Sequence, residues 1–170
     1  MSGARLVLIS FSLVILLGGW PSKAETLGTP SERVILRVNG KIDAINLGNA
    51  AVFDLAMLKA LGTETFTTNT EWTKGTPTFA GVPLKALVDK VGATGTEIIA
   101  TAADGYAISL PMADLERYSI LLVYAIDDAE LDLADKGPLW IMYRWDQMTD
   151  QQIDDKSPNA VWQLQQLTFE

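Results

Sequence analysis

This sequence predicts a single α+β domain, and three observations carry the prediction. Short runs of apolar residues at period two, the mark of strands, outnumber helical patterns. Most are joined by tight turns such as Asn39-Gly40 and Asp104-Gly105. Leu84, Leu87, Val88 and Val91 fall at helical spacing, so at least one amphipathic helix interrupts the strands. No repeat or internal linker divides the chain.

Residues 25–31 are polar, with Gly28 and Pro30, and read as a flexible leader to the domain. Arg33–Val38 puts Val34, Leu36 and Val38 on one face, a half-buried strand. Asn39-Gly40 predicts a hairpin turn, with Lys41–Leu47 returning as its partner. Asp54 stands where an N-cap belongs, Leu55, Leu58 and Leu61 follow at helical spacing, and Gly62 ends the helix. Thr63–Thr68 is β-branched and reads as a strand entering a loop with Trp72, Phe79 and Gly81. Pro83 then opens the helix that Gly92 closes.

Glu97–Ala103 and Tyr106–Leu110 predict a second hairpin around Asp104-Gly105. Pro111–Tyr118 is a short helix or turn, and the apolar run Ile120–Ile126 is a strand buried on both faces. Asp127–Asp135 is an acidic loop, Leu139–Tyr143 a strand, and Met148–Lys156 a helical turn or two. Val161–Phe169 closes the chain as a strand, with Trp162 and Leu164, then Leu167 and Phe169, in period two around a bulge at Gln165-Gln166.

Targeting and composition narrow the function. Arg5, the apolar run Leu6–Gly19, and small residues at Ser22 and Ala24 predict a secretory signal peptide over residues 1–24, cleaved before Glu25. The expected location is the periplasm, with no membrane insertion after cleavage. With 13 basic and 21 acidic residues the chain carries a formal charge of −8, which repels nucleic acid and anionic headgroups. Cysteine and histidine are both absent, which excludes disulfide staples, Ser-His-Asp and Cys-His catalysis, and ordinary zinc sites.

Three strand ends carry residues suited to a binding rim: Thr68–Trp72, Asp104–Tyr106 and Tyr143–Asp146. Trp72, Tyr106, Tyr143 and Trp145 offer flat faces to a planar ring. Glu71, Asp104 or Asp146 can accept paired N–H donors from a heterocycle edge, and Arg144 can meet an oxo group or an anionic tail. Each also admits a plainer role. Trp72 and Phe79 read equally as core anchors of a long connection, Tyr106 and Trp140 as core aromatics, Asp104 as a turn residue, and Arg144 as the partner of Asp146.

In order along the chain, TNTEWT, TFAGVPLKALV, DGYAISLP and KGPLWIMYRWD resemble the sulfite-oxidase (SUOX) fold, the oxidoreductase molybdopterin-binding domain family. The resemblance implies one SUOX-like α+β domain over residues 25–170, with mixed β-sheets and short flanking helices. In enzymes of that family a cysteine four residues before the matching tryptophan ligates molybdenum through its thiolate. The matching residue here is Thr68, and a neutral hydroxyl is a poor ligand for that chemistry. The resemblance therefore implies no molybdenum and no enzymatic turnover.

It leaves a pocket for the organic part of the cofactor, a pterin, lined by Thr68, Thr70, Glu71, Trp72, Asp104, Tyr106, Tyr143, Arg144 and Trp145. Small exported members without the cysteine are similar to periplasmic pterin-binding regulators. These act on the periplasmic domain of a membrane-bound GGDEF/EAL-type cyclic-di-GMP synthase/phosphodiesterase and influence biofilm formation. Two other readings stay open: a molybdopterin-dependent oxidoreductase domain with a non-cysteine metal site, and a ligand-free adaptor that retains the fold.

Overall fold

The computed structural model describes residues 27–170. The signal peptide expected over residues 1–24 lies outside the described residues. Two five-stranded sheets carry the fold. The first has the order β2 (Ala51–Phe53), β1 (Leu36–Gly40), β10 (Leu164–Phe169), β5 (Glu97–Ala102), β6 (Ala107–Pro111). The second runs β3 (Glu64–Thr67), β4 (Thr78–Pro83), β7 (Ile120–Ile126), β8 (Ala129–Glu130), and β9 (Trp140–Tyr143) also pairs with β7. Only β1 and β10 are parallel, so the first sheet is mixed. Short helices α1 (Leu55–Lys59), α2 (Leu84–Val91) and α3 (Asp150–Lys156) flank them.

Local sequence accounts for most of these elements. Every residue of β7 from Ile120 to Ala125 is buried, because β4 lies on one edge, β8 and β9 pair with it too, and both faces meet apolar side chains. Helix α2 buries Leu84, Leu87, Val88 and Val91, and Gly92 ends it in the left-handed conformation. The Asp54 carboxylate caps α1 by accepting from Met57 N–H at 2.8 Å. It also accepts from the N–H groups of Ser31 and Glu32, at 2.7 and 3.1 Å, and so ties the N-terminal arm to the helix. The expected bulge in the last strand falls between Leu164 and Gln166.

The structure corrects three local expectations. Asn39-Gly40 does not make a hairpin with Lys41–Leu47. Strand β1 pairs instead with β2 on one side and β10 on the other, and residues 43–44 bond to the Val91 carbonyl at the end of α2. Gly40 is required because β1 passes so close to β10 that a Cβ would strike the Phe169 carbonyl, at a φ of 88°. Phe79 and Gly81 do not belong to the Trp72 loop but to β4, which returns against β3 with Thr67 opposite Thr78. Phe79 is fully buried there, stacked on Phe66 at 5.0 Å and edge-on to Trp140 at 6.0 Å. Tyr106 is no core aromatic: it is 56% exposed, whereas Trp140 is completely buried.

Candidate functional site

Because β3 and β4 form a hairpin, residues 68–77 become its loop and carry Trp72 back over the domain. The loop shapes itself. The Thr70 hydroxyl accepts the Trp72 N–H at 3.2 Å and bonds the Thr73 hydroxyl at 2.7 Å. Thr68 Oγ1 donates to the Asn69 carbonyl, and Thr68 N–H to the Pro77 carbonyl. The Trp72 ring is half-buried against three other indoles, at 5.6 Å from Trp140, 5.3 Å from Trp145 and 5.7 Å from Trp162. All four tryptophans of the described residues thus form one cluster, mostly edge-on or tilted, as aromatic quadrupoles prefer.

Beside this cluster opens a cleft of about 300 Å³, lined by Trp72, Asp104, Tyr106, Pro158, Val161 and Trp162 among others. Its volume admits a bicyclic ring. The β5–β6 turn supplies one side. Asp104 Oδ1 accepts the Tyr106 N–H at 2.9 Å, which fixes the turn, and Oδ2 has no protein partner among the described residues. The segment after α3 supplies the other side. There Gln163, at a φ of 51°, is strapped on both flanks, its carbonyl to Ala103 N–H and its N–H to the Lys136 carbonyl. Val161 is held likewise, its carbonyl accepting from Ile141 N–H at 2.8 Å. No lysine or arginine lines the cleft.

The cleft wall rests on a buried polar post. Lys156, the last residue of α3, reaches Asp114 Oδ2 at 2.6 Å, and Tyr143 donates its hydroxyl to the same oxygen at 3.0 Å. Asn159, two residues before Val161, donates in turn to the Tyr143 hydroxyl at 3.3 Å. Burial, opposed by the Asn159 hydrogen bond and reinforced by the Asp114 charge, pushes the Tyr143 phenol far above its ordinary range. Its hydroxyl serves as a donor to Asp114.

The residues singled out in the sequence therefore separate. Trp72, Asp104 and Tyr106 line the cleft together. Trp145 does not line it but stands against Trp72, 4% exposed. Thr68, Thr70 and Glu71 share the Trp72 loop without lining the cleft; the two threonines shape the loop and Glu71 faces solvent. Tyr143 is fully buried on Asp114. Arg144 lines a different, polar depression with Tyr118 and Gln147, and is held there by a two-point bond to Asp146, at 2.9 and 2.8 Å, and by Glu64 at 3.4 Å. That bond lowers the Asp146 carboxyl from its usual range and raises the Arg144 guanidinium.

Sequence reasoning missed Trp162 and the segment 157–163, because Trp162 alternates with Leu164 and so reads as strand. The signal that points to it is Ser157-Pro158-Asn159, a turn composition that places the following residues on a rim. Among the described residues, no group of three or more His, Cys, Asp or Glu side chains is placed to hold a metal ion, and no helix is long and apolar enough to cross a membrane.

Comparison with known proteins places the fold. The profile of the oxidoreductase molybdopterin binding domain matches residues 52–145, which hold the Trp72 loop, the β5–β6 turn and β9. Among solved structures, the sulfane dehydrogenase SoxCD from Paracoccus pantotrophus is similar, with a TM-score of 0.57 and 17% sequence identity over 78% of this chain. That alignment takes in 37% of the SoxCD chain, so the present chain matches little more than a third of it. No curated protein sequence matches.

Proposed function

Because the chain belongs to the oxidoreductase molybdopterin binding domain family, we propose that the cleft between Trp72 and Trp162 binds a pterin ring without its metal, and that the protein is a regulator rather than a catalyst. The lining carries this reading. A molybdopterin cofactor presents a flat heterocycle, a dithiolene-bound metal and a phosphate. Tryptophan walls suit the heterocycle, and Asp104 Oδ2 suits its amino N–H edge. Nothing suits the other two parts. The chain has no thiol or imidazole, Thr68 holds the position that resembles the ligand cysteine, and the one charged side chain of the lining is an anion that opposes a phosphate.

The regulatory half of the proposal rests on the resemblance to periplasmic pterin-binding regulators and on the signal-peptide pattern at the N-terminus. In this reading the protein works in the periplasm, and its pterin-loaded form binds the periplasmic domain of a membrane-bound GGDEF/EAL-type enzyme, biasing cyclic-di-GMP turnover and biofilm formation. Pterin can switch such a partner only if the partner binds the loaded and empty forms with different affinity. The Trp72 loop is the element that differs, since it borders the cleft and faces solvent. Family membership favours a second reading, an oxidoreductase with a non-cysteine metal site.

One experiment separates the two. Native mass spectrometry and elemental analysis are run on protein freshly purified from a molybdate-fed, pterin-producing host. A bound mass equal to a pterin, with molybdenum far below stoichiometry, is the expected result. Stoichiometric molybdenum would overturn the proposal in favour of the enzyme.

A further inference from the structure

Two buried polar atoms of the tryptophan cluster around Trp72 have nothing to bond. The indole N–H groups of Trp140 and Trp145 are buried and have no acceptor. A buried donor without an acceptor has given up its hydrogen bond to water and received none in return, and folded proteins leave few such groups. Here two occur in rings that both pack on the Trp72 ring.

The Trp72 ring, which packs on both indoles, is weakly fastened. Among the described residues, no hydrogen bond or ion pair ties residues 69–76 to the body of the domain; those they make stay within the loop or reach Thr68. Gly75, at a φ of 69° with open space around it, gives the loop a bend that other residues rarely adopt. The loop is anchored at its ends by the β3–β4 hairpin, and in between by the Trp72 ring.

We propose that Trp72 is a displaceable plug. A planar, neutral heterocycle with a ring oxo group takes its place against Trp140 and Trp145, whose N–H groups donate to the oxo oxygen. Trp72 swings out and becomes the outer stacking face. The absence of a cation and the presence of Asp104 favour a neutral ring over an anionic one. The inference rests on the pterin reading of the cleft and adds to it which atom of the ring is read, and by which donors. It also gives the regulator its switch, because the loop takes up one position over an empty site and another over an occupied one.

Two probes test it on the purified protein: pterin itself (2-amino-4-oxopteridine) and 2,4-diaminopteridine. The analogue keeps the ring and the 2-amino group but replaces the oxo acceptor with an amino donor and the adjacent ring N–H with an acceptor. The indole N–H signals, read beside the affinities, therefore assign the difference to the oxo group. Calorimetry gives the affinities, and the indole N–H resonances in a ¹H–¹⁵N spectrum report on the donors. Pterin is expected to shift the Trp140 and Trp145 indole signals and to bind at least about tenfold more tightly than the diamino analogue. In Trp72→Ala, with no plug to open, the association rate constant for pterin is expected to rise about tenfold or more. Equal affinities with unmoved Trp140 and Trp145 signals would overturn the inference and leave the pterin reading standing. So would an association rate that is unchanged or slower in Trp72→Ala. Binding of neither probe would remove both.

Discussion

Replacing Lys156 with methionine removes the charge that faces Asp114 while keeping most of the side-chain bulk. In the folded protein the Asp114 side chain is 6% exposed and that of Lys156 19% exposed, with 2.6 Å between Nζ and Oδ2. Without Lys156 the carboxylate keeps one protein donor, the Tyr143 hydroxyl. Removing one partner of a fully buried ion pair costs about 3–5 kcal/mol, because the other charge is left without compensation. Lys156 lies close enough to solvent for water to replace part of its field, which brings the expected loss to about 2–3 kcal/mol. For a domain of this size that is a fall in melting temperature of about 6–12 °C.

The double variant Asp114→Asn/Lys156→Met leaves no bare charge behind and is expected to melt well above the sum of the two single losses. The same change reaches the cleft, because Lys156 immediately precedes the Ser157-Pro158 wall and Asn159 bonds the same Tyr143. Lys156→Met is therefore expected to weaken pterin binding as well, at temperatures where the protein stays folded. Differential scanning calorimetry on the wild type, both single variants and the double variant completes the cycle. Additive losses, or a Lys156→Met melt within about 1 °C of the wild type, would refute the reasoning.

Other outcomes follow from the same geometry. Trp72→Ala removes a half-buried ring that packs edge-on or tilted against three others, so it should cost roughly 1–2 kcal/mol, less than the 3–5 typical of a fully buried aromatic. It should weaken pterin binding about tenfold or more, which with association about tenfold faster requires dissociation roughly a hundredfold faster, and parallel melts, titrations and binding kinetics check these effects. Asp54, whose carboxyl is lowered first by the Met57 N–H bond, stabilises the fold fully above its ordinary value of 3.8 and loses that contribution as pH falls through its folded value. Asp54→Asn should therefore lower the melting temperature at neutral pH but lose less than the wild type on acidification below about pH 4, in melts run across that range. Thr68→Cys restores a thiol at the position that resembles the ligand. Elemental analysis should show at most weak molybdenum uptake, since among the described residues no group of three or more His, Cys, Asp or Glu side chains is arranged to hold a metal.

Several features were legible in the residues alone because they depend on neighbours in sequence. Helix α2 follows from four apolar residues at helical spacing between Pro83 and Gly92, and the N-cap from Asp54 ahead of Leu55. The buried strand β7 follows from an unbroken apolar run, and the β5–β6 turn from Asp104-Gly105. Cleft residues within such signals, Trp72, Asp104 and Tyr106, could be named in advance. Where two contacts of different range competed, the local signal misled. Asn39-Gly40 has the composition of a hairpin, but the edge of β1 is taken by β10, more than a hundred residues later, and a Gly that permits close approach looks the same as one that permits a turn.

The sequence by itself determined the α+β class, the β5–β6 turn on one side of the cleft, and the exclusion of thiol, imidazole and disulfide chemistry, because composition and local periodicity need no partner to be read. Tertiary structure alone decided which polar and aromatic residues meet. Parallel pairing of β1 with β10 brings the two ends of the domain together, and the straps on Gln163 aim segment 157–163 at the β5–β6 turn. Tyr143 and Arg144 adjoin Trp145 in sequence, yet Tyr143 turns into the core, Arg144 to a separate polar depression and Trp145 against Trp72, since successive residues of a strand and the turn after it face different ways. The unpaired indole N–H groups of Trp140 and Trp145 belong to the same class of fact: whether a buried donor finds an acceptor depends on atoms brought in from elsewhere in the chain.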